Sequence, residues 1–91
     1  MIVARKLIVS GRVQRVGFRW FTLEAAQREG ITGWVRNTDD RHVEILAEGE
    51  AEAMERFERA IRRGPMAARV DDVDVEAVAP SGRFPGFTVQ H

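Results

Sequence analysis

The sequence predicts an α+β fold, a split βαβ sandwich of order β-α-β-β-α-β with two helices on one face of an antiparallel sheet. Three observations carry that reading. Short stretches of apolar residues alternate with polar ones, two longer stretches repeat apolar residues every three to four positions, and Gly or Pro punctuates the boundaries. Ala4 to Ser10 reads as the first strand, with Leu7 and Val9 on one face and Gly11 at its end. The loop Gly11 to Gly17 then leads into a helix over Phe18 to Glu29. Its Phe18, Phe21, Ala25 and Ala26 share a face, and Gly30 stops it. Ile31 to Asn37 is the second strand, Thr38 to Arg41 a turn, and His42 to Glu48 the third strand. In that third strand Val43, Ile45 and Ala47 point to a core, while Glu44 and Glu48 are expected to point to water. Ala51, Met54, Phe57 and Ile61 mark a second helix over Glu50 to Arg63, broken by Gly64-Pro65. Val73, Val75 and Ala77 alternate with Asp72, Asp74 and Glu76 in a fourth strand. After the Pro80-Ser81-Gly82 turn, Phe87 and Val89 belong to a short last one.

This topology makes strands one and two parallel, with strand three between them. Ser10 and Asn37 then end on the same edge of the sheet, about 10 Å apart at ~4.8 Å per strand. Residues 1–91 suffice for a single domain and leave no room for a second. The absence of cysteine excludes a cysteine nucleophile, a thiolate zinc site and an iron–sulfur cluster, and fits a reducing compartment. No apolar run matches a secretory signal or a membrane span, so the expected location is cytoplasmic. With 14 basic and 14 acidic residues the formal net charge is zero, which argues against general binding to nucleic acid or anionic membrane. No extra apolar face stands out, and a monomer is expected.

The segment Gly11-Arg12-Val13-Gln14-Arg15-Val16-Gly17-Phe18-Arg19 is the most informative. A strand-to-helix loop brings unpaired amides and a helix dipole to one place, which suits an anion. Arg19 falls in the first helical turn, where the dipole disfavours a cation by about 0.3–1 kcal/mol unless an anion lies between. An exposed arginine on a solvated helix is the alternative. Walker A is excluded, because Phe18-Arg19 follows the second glycine where Lys-Ser/Thr is required. A dinucleotide fingerprint is excluded by the missing Gly-x-Gly. Asn37, the one asparagine, can orient a water without carrying charge, or can simply form an Asx turn before Thr38-Asp39-Asp40. His42 and His91 show no metal-ligand spacing, and no metal is expected. The aromatic residues lack the RNP pattern of an RNA-binding sheet.

Gly11-Arg12-Val13-Gln14-x-Val16-Gly17-Phe18-Arg19 and Gly33-Trp34-Val35-Arg36-Asn37 together resemble the two signature segments of the acylphosphatases. Length and element order match over essentially the whole chain. The resemblance implies a ferredoxin-like enzyme that cleaves the carboxyl–phosphate bond of a small acyl phosphate without metal or cofactor. By position, Arg19 is then the phosphate-binding arginine and Asn37 the water-orienting asparagine. Gln14, Arg15, Val16, Gly17 and Phe18 supply the loop amides. Two positions depart from the family pattern, Arg15 and Arg41, each standing where glycine is usual. If their φ angles are positive, a side chain costs about 1–2 kcal/mol at each. Position 15 is expected either to adopt a negative φ or to reshape the loop, and Arg15 can add positive potential at the mouth of the site. One rival is an anion- or RNA-binding ferredoxin-like module without turnover. Another is the homologous domain that opens a larger carbamoyl-transfer maturation protein; the end of the chain at His91 favours the free-standing enzyme.

Overall fold

The computed structural model describes every residue from Met1 to His91. Its elements are β1 (Ile2–Arg12), α1 (Phe18–Glu29), β2 (Thr32–Asn37), β3 (Val43–Glu50), α2 (Ala51–Arg63), β4 (Arg69–Val78) and β5 (Phe87–Gln90). The strands lie in the order β4-β1-β3-β2-β5. β3 is antiparallel to both β1 and β2, with Leu7 and Val35 on either side of Ile45, so β1 and β2 run parallel as expected. β1 extends two residues beyond each predicted end, because β3 and β4 both pair with it and hold its ends in the ladder.

The short β5 joins the outer edge of β2 in parallel, Val89 beside Val35, so the sheet is mixed where a wholly antiparallel one was expected. The reason is topological. β4 sits at the opposite edge, so residues 79–86 must carry the chain across to reach β2, and a return in that sense enters parallel.

Both helices pack on one face. Phe18 from α1 and Met54, Phe57 and Ile61 from α2 are fully buried against Leu7, Val9, Val35, Val43 and Ile45. α1 ends on a left-handed Gly30, with the Ile31 N–H donating to Ala26 O at 2.8 Å.

The other face departs from expectation. Glu44 and Glu48, expected in water, are only 7% and 5% exposed. Alternation reports which side of a sheet a residue occupies; it cannot report what covers that side. Glu44 accepts from Arg36 Nε at 2.6 Å and faces Lys6 Nζ at 3.3 Å. Glu48 is covered by the β4–β5 crossover. Its carboxylate accepts from Ser81 Oγ at 2.7 Å and from the Ser81 and Gly82 amides at 3.0 Å each. Burial pushes the Glu48 carboxyl upward, yet these three hydrogen bonds and the nearby Arg83 charge outweigh it and hold the group below its ordinary value. A depressed carboxyl stabilises the fold above its unfolded-state value of about 4.3, and that contribution disappears as pH falls through the lower folded value. Glu48→Gln is therefore expected to cost about 1–3 kcal/mol at neutral pH. It should also flatten the acid limb of a Tm–pH profile followed by circular dichroism. Equal Tm values for variant and natural sequence across that profile would exclude a stabilising role for the Ser81 and Gly82 hydrogen bonds to Glu48.

Candidate active site

The site is built from the point where β1 leaves the sheet. The β1–β4 register shifts between Ser10 and Gly11. At Gly11 φ is +122°, and a Cβ would lie 2.2 Å from Arg69 O, so only glycine fits. Beyond it, buried Val13 and Phe18 pin both ends of the loop, and Val16 packs partly against the core. Between those pins the chain is held in a left-handed conformation at Arg15 (φ 62°) and Gly17 (φ 77°). Such residues curl successive amides into the concavity that binds anions.

The earliest hydrogen bond of α1 to reach back into the loop runs from the Phe21 N–H to Gly17 O at 3.0 Å. The amides of Arg15, Val16, Gly17 and Phe18 find no acceptor within the chain. The helix has no side-chain cap and no acidic residue in its first turn to satisfy them or offset the dipole. These loop donors therefore remain open to a ligand.

Arg19 lies beside them. Its Nη1 donates to Gln90 O at 2.8 Å and is 3.2 Å from His91 Nδ1, which orients the guanidinium while leaving most of its donors free. Asn37, half-buried at the end of β2, contributes to the same cavity of about 220 Å³ as Arg15, Gly17, Phe18, Arg19 and His91. Trp20, 64% exposed, stands at its rim. The topology thus brings together Arg19, Asn37 and the second half of the predicted loop.

Asn37 does not form the Asx turn that its position allowed, for its side chain makes no hydrogen bond. Thr38 holds the turn instead: its N–H donates to His42 O at 3.0 Å and its Oγ accepts from the His42 N–H at 3.1 Å. The side chains of Gln14 and Val16 do not line the cavity. Gln14 Nε2 donates to Thr38 O and His42 O, both at 2.9 Å, tying the loop to the β2–β3 turn that follows Asn37. Sequence reasoning missed this strut and the contact of Arg19 with Gln90 and His91. Both depend on partners 24 to 72 residues away.

Arg15 keeps a positive φ with its side chain in place, and so does Arg41 (φ 70°). Position 15 has not moved to a negative angle; the backbone retains a conformation suited to glycine and absorbs the local cost. The cavity's electrostatics are one-sided, since Arg15 and Arg19, its two arginines, both lack a carboxylate within 4.0 Å. No three His, Asp or Glu side chains converge as metal ligands would.

Comparison with known proteins gives the arrangement a context. The acylphosphatase family model matches residues 5–89. The acylphosphatase of Pseudomonas paraeruginosa is 50% identical over 82 residues, covering 90% of this chain and 89% of its own. That of Koribacter versatilis is 44% identical over 86 residues, covering 94% and 78%. The crystal structure of acylphosphatase from Bacillus subtilis superposes with a TM-score of 0.94 at 37% identity, with both chains fully covered. These matches do not favour a non-catalytic anion- or RNA-binding module. A ferredoxin-like sandwich with an open amide cradle and relatives of this similarity lead to one assignment: the chain belongs to the acylphosphatase family and has its enzymatic function, acting on a small acyl phosphate.

Proposed function

We propose that residues 1–91 form a single catalytic domain in which Arg19 and the loop amides hold the phosphate and Asn37 orients the attacking water, without metal or cofactor. The observation that carries this reading is the set of unpartnered amides at residues 15–18, in a loop that lines one cavity with Arg19 and Asn37. The amides and a bidentate guanidinium fork bind the phosphoryl oxygens, a preorganised match for the charge on them in the transition state. Asn37 donates to or accepts from a water and so aligns it with the P–O bond to the acyl group. Attack at phosphorus then breaks that bond, and its electron pair leaves with the carboxylate. A carboxylate departs with little general-acid help, and a loose phosphoryl-transfer transition state needs little base strength. The water's proton passes to the substrate's own phosphate.

The same reading makes the protein a cytoplasmic monomer that does not bind nucleic acid. The decisive experiment measures phosphate release from benzoyl phosphate beside p-nitrophenyl phosphate in EDTA. Turnover of the acyl phosphate alone, unchanged by the chelator, is the expected result. A rate abolished by EDTA, or no turnover by folded protein, would overturn it.

A further inference from the structure

A second cavity of about 380 Å³ adjoins the first and is lined by Gly11, Arg12, Val13, Gln14, Arg15 and Arg41. The two share Val13 and Arg15, but Arg19 and Asn37 belong only to the first. Three of the six lining residues are arginines, and no carboxylate lies within 4.0 Å of any of them. Asp71, beside the Gly11 bulge, is already engaged by Arg69 Nε at 3.0 Å and Nη2 at 3.4 Å. In a chain of zero net charge this concentration of unpaired guanidinium groups is local. Two of the three arginines, Arg15 and Arg41, stand on left-handed backbone, where an L side chain carries a strain that glycine would not.

The geometry points to a second anion subsite, at which Arg12, Arg15 and Arg41 receive a carboxylate or phosphate group borne by the acyl portion of the substrate. The inference rests on the assignment of the phosphate cradle to the first cavity. With the reacting phosphate held there, Arg15 forms the common wall, and an acyl group that extends past it meets Arg12 and Arg41. The preferred substrates are then acyl phosphates with two anionic ends. Guanidinium forks suit either oxyanion, so the shared chemistry is an oxyanion joined to the acyl phosphate by a short spacer.

The test uses non-hydrolysable mimics. Benzylphosphonate and its meta- and para-carboxy derivatives are titrated calorimetrically into the natural protein and into Arg12→Gln/Arg41→Asn. Asparagine tolerates the left-handed conformation, so the second change removes charge with little effect on the backbone. In the natural protein at least one carboxy derivative should bind about tenfold more tightly than benzylphosphonate, and the advantage should vanish in the double variant. Benzoyl phosphate turnover should be similar in both proteins. Equal affinities for all three mimics, or an advantage that survives the double substitution, would overturn the subsite while leaving the cradle intact. Failure of benzylphosphonate to bind, together with no turnover of benzoyl phosphate, would instead remove the cradle and the subsite with it. To separate the two oxyanion sources, the carboxylate is replaced by a phosphate ester on the same ring: a larger gain from phosphate assigns the site to bisphosphorylated substrates, and a larger gain from carboxylate to acyl phosphates of dicarboxylic acids.

Discussion

Asn37→Ala is expected to lower kcat by about 10² or more while changing KM little. The split follows from where the side chain sits. Asn37 ends β2 in the cavity that the loop also lines, and the turn beyond it is held by Thr38 without help from the Asn37 side chain. Truncation therefore removes neither a phosphate donor nor a support for the fold. It removes the group that aligns the water, whose energetic value is realised only as the attack proceeds. An unchanged melting temperature beside a collapsed kcat would identify the loss as chemical. Full activity in Asn37→Ala would remove water orientation from its role. Asn37→Asp gives a second reading, because a negative charge beside the phosphate should raise KM as well.

Arg19→Ala is expected to have the larger effect, a loss of about 10³ or more in kcat/KM with both parameters affected. The guanidinium meets charge already present on the bound phosphate and more strongly favours the oxygens of the transition state. Arg19→Lys should recover little of the loss. A lysine ammonium is a point charge that cannot make two parallel bonds, and it would not combine contact with Gln90 O and a fork on the phosphate in the same way. Competition by inorganic phosphate supplies a control independent of turnover: its inhibition constant should rise in both Arg19 variants and stay near the natural value in Asn37→Ala. Unaltered phosphate inhibition in Arg19→Ala would show that the amides alone hold the anion.

The central order β1-β3-β2 and the meeting of strands one and two at one edge were legible because alternation and helical spacing are local properties. Leu7, Val9, Val43 and Ile45 announce their faces within a few residues. The loop and Asn37 could be placed together for the same reason, once the topology was chosen. What stayed hidden depends on contacts distant in sequence. Nothing near Glu48 reveals that Ser81 and Gly82 will cover it. Nothing near Arg19 reveals that β5 will return alongside β2 and present Gln90 O to its guanidinium. Arg15 shows a different limit. Its identity suggested either a negative φ or a changed loop, whereas the chain, anchored at Val13 and Phe18 and strutted by Gln14, keeps the glycine-like angle with a side chain present.

The outermost long strand has a further consequence for the chain before and after it folds. β4 offers one free row of backbone donors and acceptors, an invitation to another copy, but Asp71, Asp72, Asp74 and Glu76 are spread along its exposed length. A second β4 approaching antiparallel would set these carboxylates against one another, and a parallel approach would do the same in register. The opposite edge, β5, is only four residues long. Repulsion at one border and brevity at the other therefore guard both against intermolecular strand pairing, which keeps the sheet from serving as a template for aggregation.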